Sequence, residues 1–140
     1  MVCLGNICRS PLAEGIMKDQ VAKAGLDWEV DSAGTGSWHI GQKPDRRSIR
    51  EAKTHGIDIS QQVCRQFKMK DFDNFDLILV MDHNNLSDVL TMARNDQDEQ
   101  KVKLLLNDKD VPDPYFDDKQ FASVFELIEA GCKDVIRANK

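Results

Sequence analysis

The segment Cys3-Leu4-Gly5-Asn6-Ile7-Cys8-Arg9-Ser10-Pro11 constrains this chain more than any other. A thiol and an arginine are separated by five residues that include a glycine, an apolar residue precedes the thiol, and Ser-Pro opens an amphipathic helix directly after the arginine. Glycine lets the backbone curl so that successive N–H groups converge, and a helix N-terminus adds unpaired N–H groups and the positive end of its dipole. Such a loop suits a phosphate-like dianion. The same field would lower the pKa of Cys3, leaving its thiolate available near neutral pH. The Cys-x5-Arg spacing alone is a weak pattern; Gly5, Asn6 and the Ser-Pro helix start make it more specific.

Composition limits what the loop can serve. At 140 residues, residues 1–140 read as a single domain with room for an ordinary core. With 41% hydrophobic and 31% charged residues the chain is of soluble, globular type. Nineteen basic against 24 acidic residues give a net charge of -5 without blocks of like charge, so neither nucleic acid nor a membrane is implied as a partner. The longest apolar run, Leu77 to Met81, is far short of the roughly 18 residues of a membrane span, and no signal peptide is visible. Cys3, Cys8, Cys64 and Cys132 form neither a zinc pattern nor a disulfide framework, and the scattered His residues have no ligand spacing. A reducing, cytoplasmic setting without a metal fits best.

The periodicity predicts a helix over 10–24, capped by Ser10 and ended by Gly25, a strand over 28–32, and a Gly-rich loop carrying Trp38 and His39. A second helix runs from the cap Asp45 to Thr54 and stops at His55-Gly56, and 57–67 reads as an irregular loop. A helical turn at 71–75, a strand over 76–81, a helix over 84–94, a polar stretch over 95–100 and a strand over 102–106 follow. Pro112 and Pro114 exclude helix and central strand around Asp113, and a helix over 119–138 closes the chain. Strands alternating with helices imply an α/β fold, a parallel sheet covered on both faces.

Four segments in order, Cys3 to Pro11, Val30-Asp31-Ser32-Ala33-Gly34-Thr35, Asp76 to Asp82, and Asp113-Pro114-Tyr115, resemble those of the low-molecular-weight protein tyrosine phosphatases. The resemblance implies a three-layer α/β/α fold around a four-stranded parallel sheet. It also implies hydrolysis of phosphotyrosine monoesters through a cysteinyl-phosphate. Cys3 would be the nucleophile, with the backbone N–H groups from Leu4 through Gly5, Asn6, Ile7 and Cys8 to Arg9 and the Arg9 guanidinium holding the phosphoryl oxygens. Asp113 would protonate the leaving phenolate and then activate water; its alternative is an Asp-Pro turn.

Further roles follow by the same resemblance. Ser10 would direct its hydroxyl at the sulfur, or cap the helix, or both. Asn6 would prop the loop with Ser32 and His55 as supports, although His55 alone reads as a helix-end residue. Ile7, Trp38, Tyr115 and Phe116 would wall the substrate crevice. Related protein-arginine phosphatases carry threonine at the position of Ile7, which therefore favours phosphotyrosine over phosphoarginine. Cys3 and Cys8 could form a protective disulfide, the alternative being a buried Cys8 thiol. No cofactor is required. The implied partners are a phosphotyrosine protein or small aryl phosphate, with phosphate and other oxyanions as inhibitors, and the chain is expected to be a monomer.

Two rival readings compete with this expectation. A thioredoxin-coupled arsenate reductase needs two further cysteines after the third strand, where this chain has Met81-Asp82-His83. A non-catalytic phosphate-binding relative would need neither the thiol nor Asp113. One departure from the family pattern stands out: only Met1 and Val2 precede Cys3, so the first, central strand is expected to be truncated. A start further upstream, a shortened chain and a minimal strand with weak activity all fit. The expected stability loss is several kcal/mol unless another segment fills the gap.

Overall fold

The computed structural model describes residues 1–140 and has the alternating order expected of a parallel sheet. β1 (Val2–Cys3), α1 (Arg9–Lys23), β2 (Ala33–Gly34) and α2 (Arg46–Thr54) come first. They are followed by α3 (Asp71–Asn74), β3 (Ile78–Val80), α4 (His83–Leu90), α5 (Asp96–Lys101), β4 (Val102–Leu104), a 3-10 turn at Asp118–Gln120 and α6 (Phe121–Asn139). The strands are all parallel, in the order β2-β1-β3-β4, so the short β1 sits inside the sheet. Two crossovers therefore start from its neighbourhood, and the loop after β1 opens at the C-terminal edge of the sheet, where α/β folds gather their ligands.

Strand alternation divides the core between the two faces. Val2, Ile78, Val80, Val102 and Leu104 face one apolar layer closed by Phe67, Phe72 and Val89. Cys3, Leu79, Met81 and Leu105 face the larger layer, built with Leu12 and Ile16 of α1 and Phe125 and Ile128 of α6. This is the three-layer α/β/α architecture with a four-stranded parallel sheet. The same alternation points Cys3 into the larger layer's upper edge, beneath the start of α1.

Helix ends match their sequence signals. Gly25 (φ 68°) and Gly56 (φ 76°) occupy the left-handed position that closes α1 and α2, with Leu26 N–H donating to the Val21 carbonyl at 3.0 Å and Ile57 N–H to the Ala52 carbonyl at 3.0 Å. Asp45 caps α2 by accepting from Arg47 N–H at 2.8 Å. The Ser10 cap does not form, because α1 starts one residue earlier at Arg9 and Ser10 lies in its first turn with its hydroxyl turned to Cys3. The polar stretch over 95–100, to which the sequence assigns no element, forms most of α5, started by the Asn95 side chain accepting from Asp98 N–H at 2.9 Å.

The strand expected over 28–32 is not formed; β2 is Ala33–Gly34 instead. A parallel strand needs a neighbour, and β1 offers only Val2 and Cys3, which pair with Ala33 and Gly34. The backbone N–H groups from Asp27 to Asp31 consequently donate no hydrogen bond. Where β1 would continue away from the site, a groove of about 500 Å³ runs between this segment and β3, lined by Met1, Val2, Trp28, Val30, Leu77 and Leu79 among others.

Candidate active site

The turn after β1 wraps around the Cys3 sulfur. Asn6 N–H donates to Cys3 Sγ at 3.2 Å, and Ser10 Oγ lies 3.1 Å from the same atom. The backbone N–H groups of Leu4, Gly5, Ile7, Cys8, Arg9 and Ser10 make no hydrogen bond within the protein. Backbone N–H groups in a folded protein are normally paired, so six free ones along one turn beside the thiol form a strongly anion-seeking surface. The left-handed residue that curls the loop is Asn6 (φ 57°), not Gly5. Asparagine tolerates that conformation better than most side chains.

Asn6 is the hub beneath the loop. It is 2% exposed, and its Nδ2 donates to Ser10 Oγ at 2.7 Å and to Ser32 Oγ at 3.0 Å. Ser32 in turn donates to Glu14 Oε1 at 2.7 Å, and Glu14 Oε2 is paired with Lys18 at 2.8 Å. Because Ser10 already accepts from Asn6, its own proton is left for the Cys3 sulfur at 3.1 Å or the Ala33 carbonyl at 3.4 Å. From the other side, Arg65 N–H donates to Asn6 Oδ1 at 3.0 Å and the Cys64 thiol to the Asn6 carbonyl at 2.8 Å.

His55 is not among these supports. It is the C-cap of α2, stacked on Phe125 with ring centroids 3.7 Å apart and bonded to Glu51 at 3.1 Å. Glu14, Cys64 and Arg65 hold the loop instead. Sequence spacing could not reveal them, since Cys64 and Arg65 reach the loop through the parallel bridge between Gly34 and Gln66.

Arg9 is fixed from the opposite side of the mouth. Its side chain is 3% exposed, and Nη1 donates to Asp82 Oδ2 at 2.7 Å and to the Val111 carbonyl at 2.9 Å, while Nη2 lies 3.7 Å from Asp113 Oδ2. Asp82 also caps α4, accepting from Asn85 N–H at 2.8 Å. Asp113 is 42% exposed, and its Oδ1 accepts from Tyr115 N–H at 3.1 Å, the turn its Asp-Pro setting favours. Asp113, distant in sequence from the loop that carries Cys3 and Arg9, is thus brought to the same mouth.

The aromatic residues are placed unequally. Ile7 and Tyr115 line one cleft, and Phe116, 92% exposed, meets the Tyr115 ring edge-on at 4.9 Å. Trp38 is 66% exposed and lies over Gly36. His39, to which the sequence assigns no function, abuts the loop: a Cβ added to Gly5 would come 3.2 Å from its Cδ2. Gly34 lets the loop backbone itself come close, since a Cβ there would meet the Leu4 carbonyl oxygen at 2.8 Å.

The four cysteines differ in surroundings as well as position. Burial pushes the Cys8 thiol up to about 12, Cys64 to about 11 and Cys132 to about 12. All four are reduced and buried. No group of His, Cys, Asp or Glu side chains is arranged to hold a metal ion, and no helix is long and apolar enough to cross a membrane.

Known proteins share this fold. YfkJ of Bacillus subtilis, a low molecular weight protein-tyrosine-phosphatase, is 39% identical over 96% of this chain and 90% of its own. A protein tyrosine phosphatase structure from Entamoeba histolytica superposes with a TM-score of 0.91 at 36% identity, covering 97% of this chain and 92% of that one. The Drosophila arginine phosphatase superposes equally well, with a TM-score of 0.91, 35% identity and coverage of 99% and 95%. The family pattern described as low molecular weight phosphotyrosine protein phosphatase matches residues 1–139. With sheet order, loop and whole-length match in agreement, this chain belongs to the low molecular weight phosphotyrosine protein phosphatase family.

Proposed function

We propose that residues 1–140 form one catalytic domain that hydrolyses phosphotyrosine monoesters through a phosphocysteine. The observation that carries this reading is the turn of six free N–H groups beside the Cys3 sulfur, facing the anchored guanidinium of Arg9. Those donors suit the equatorial oxygens of a phosphoryl group in transfer, where charge develops. Arg9 has its Nη2 edge left to hold two oxygens together.

In the first step the Cys3 thiolate forms a bond to phosphorus as the bond to the phenolic oxygen breaks, and Asp113 gives that oxygen its proton. In the second step Asp113 takes a proton from water, water oxygen bonds to phosphorus, and the sulfur leaves as a thiolate while phosphate is released. Ser10 donates to the departing sulfur. Asn6, Ser32 and Glu14 hold Ser10 in that pose.

Ile7, Tyr115, Phe116 and Trp38 would receive the phenyl ring, and phosphate or other oxyanions would compete for the loop. The likeness to an arginine phosphatase makes phosphoarginine the second substrate to test, with Ile7 supporting phosphotyrosine. Four reduced thiols favour a reducing, cytoplasmic compartment, and the catalytic groups all come from one chain, in keeping with a monomer. The route needs no cofactor.

The deciding experiment assays phosphotyrosine, phosphoserine and phosphoarginine peptides against wild type, Cys3→Ser and Asp113→Ala. Turnover of the phosphotyrosine peptide, abolished in the first variant and greatly reduced in the second, supports the reading. Equal rates in all three proteins would refute it.

A further inference from the structure

The cleft that Ile7 and Tyr115 line beside the phosphate loop measures about 420 Å³ and extends from those two side chains along the start of α2. Its wall is cationic in a chain whose net charge is -5. Lys43, Arg46, Arg47 and Arg50 line it against one carboxylate, Asp45. That carboxylate is already taken: Arg47 binds it through Nε at 3.0 Å and Nη2 at 2.9 Å, and reaches Asp118 with Nη1. Arg47 also stacks on Tyr115 and Phe121, so it is part of the wall.

Lys43, Arg46 and Arg50 are different. They are exposed and make no ion pair; exposed lysines elsewhere are also unpaired, but among the arginines Arg9, Arg47, Arg65, Arg94 and Arg137 all have carboxylate partners and only Arg46 and Arg50 do not. Arg46 and Arg50 stand one turn apart on the same face of α2, an arrangement of like charges that weakens a helix unless something offsets it. The cleft is tied to the loop as well as next to it, because Asp45 N–H donates to the Ile7 carbonyl at 2.8 Å and Ser48 Oγ to the Cys8 carbonyl at 3.2 Å.

We propose that Lys43, Arg46 and Arg50 form a subsite for acidic side chains flanking the phosphotyrosine, so that the preferred substrates are acidic phosphopeptides. This rests on the phosphatase reading above. With the phosphotyrosine ring between Ile7 and Tyr115, an extended peptide advancing about 3.3 Å per residue carries its near neighbours over this cleft. An acidic chain of this net charge would otherwise repel acidic ligands, and the local patch reverses that at the mouth.

The test measures affinity on Cys3→Ser, by fluorescence polarisation, for three phosphotyrosine peptides: glutamates on the N-terminal side, glutamates on the C-terminal side, and glutamines throughout. At least one acidic peptide should bind about three- to tenfold more tightly than the neutral one, and the advantage should shrink as salt rises from ~0.05 M to ~0.3 M. Adding Lys43→Gln, Arg46→Gln and Arg50→Gln should remove the advantage while leaving the neutral peptide's affinity within about twofold, with the thermal midpoint checking the fold. Equal affinity for all peptides, no binding, or a preference that survives the triple change overturns the proposal. Hydrolysis of a small aryl phosphate by the wild type, which has no flank to read, tests the phosphatase reading separately.

Discussion

Arg9 Nη1 and Asp82 Oδ2 lie 2.7 Å apart, joining the end of the phosphate loop to the N-terminus of α4 across the mouth of the site. The guanidinium is almost fully buried, so its orientation depends on the groups that accept its protons, here Asp82 and the Val111 carbonyl. A buried charge left without its partner costs far more than an exposed pair contributes. Asp82 does this while its other oxygen caps α4.

Asp82→Ala should therefore act on both function and stability. Losing the pair and the cap together is expected to cost about 2–4 kcal/mol in unfolding free energy. It should lower kcat/KM for an aryl phosphate by about 10- to 100-fold, because a mobile Arg9 no longer presents its fork to the phosphoryl oxygens. Asp82→Asn keeps one oxygen acceptor and should fall between. Denaturant unfolding and steady-state kinetics on the three proteins check this; wild-type kinetics in Asp82→Ala would show that Arg9 needs no such anchor.

The loop's hub should be even less replaceable. Asn6→Ala removes the donors to Ser10 and Ser32 and leaves a non-glycine residue in the left-handed region, at about 1–2 kcal/mol of strain. A fall in kcat/KM of about 100-fold is expected, in line with the loss of an oriented anion-binding loop. Asn6→Gly relieves the strain but not the lost bonds, so it should recover stability more than activity. A recovery of activity in Asn6→Gly would mean that backbone conformation alone shapes the loop.

Close approach gives a third expectation. In Gly34→Ala the new Cβ would sit 2.8 Å from the Leu4 carbonyl oxygen and 3.0 Å from Asn6 N, both backbone atoms that no side-chain rotation can move. The loop must shift to accommodate it. Turnover should fall at least about tenfold, with a rise in the inhibition constant for phosphate, while substitutions at Gly41, which has open space around it, should leave both unchanged apart from backbone strain.

Thiol chemistry should separate the cysteines. Burial holds the Cys8 thiol near 12, Cys64 near 11 and Cys132 near 12, so at pH 8 these are almost entirely protonated and slow to alkylate. Iodoacetamide should label Cys3 first, and phosphate should protect it. After peroxide converts the Cys3 thiolate to a sulfenic acid, a Cys3–Cys8 disulfide forms only as Cys8 loses its proton and its sulfur displaces the hydroxyl as water. That step should accelerate up to about tenfold per pH unit above pH 7. Mass spectrometry of peroxide-treated protein across pH checks both statements, and rapid pH-independent closure would refute the second.

Much of this was legible in the chain because local signals fixed it. Asp45, Gly25 and Gly56 mark helix ends through their own backbone chemistry, and the apolar run Leu77 to Met81 could only be a buried strand. Asp113 is legible only through its place in a family pattern, since its Asp-Pro setting alone reads as a turn. The supports were not legible: Glu14, Cys64, Arg65 and Asp82 act through contacts that exist only once β1, β2 and β3 are side by side. His55 was misplaced for the same reason, since a histidine before Gly56 is a helix cap and its stacking on Phe125 depends on α6. The strand expected over 28–32 failed because strand formation depends on a neighbour, which periodicity cannot see.

That missing neighbour yields the last prediction. The groove beside Met1 is flanked by the unpaired backbone of Asp27 to Asp31 and by the apolar side chains of Trp28, Val30, Leu77 and Leu79. Five apolar residues fused before Met1 would extend β1 into it as a parallel strand. Each buried side chain contributes about 1.5–3 kcal/mol, against roughly 1–2 kcal/mol for ordering its backbone and somewhat more for its rotamers, so the net gain should be a few kcal/mol. For a chain of this size that is a rise of roughly 5–15 °C in thermal midpoint. The fusion should also change the pH dependence. The Met1 amine is buried against the Asp31 carbonyl at 2.9 Å, and desolvation lowers its pKa below the ordinary 8.0. Between the folded and unfolded values the unfolded chain binds more protons, so stability rises with pH up to about 8 and is lost as pH falls. Moving the amine out of the groove should flatten that slope. Thermal unfolding of both proteins at several pH values between about 6 and 8 measures the two effects together, and a fused protein with an unchanged midpoint and slope would mean that the groove does not accept a strand.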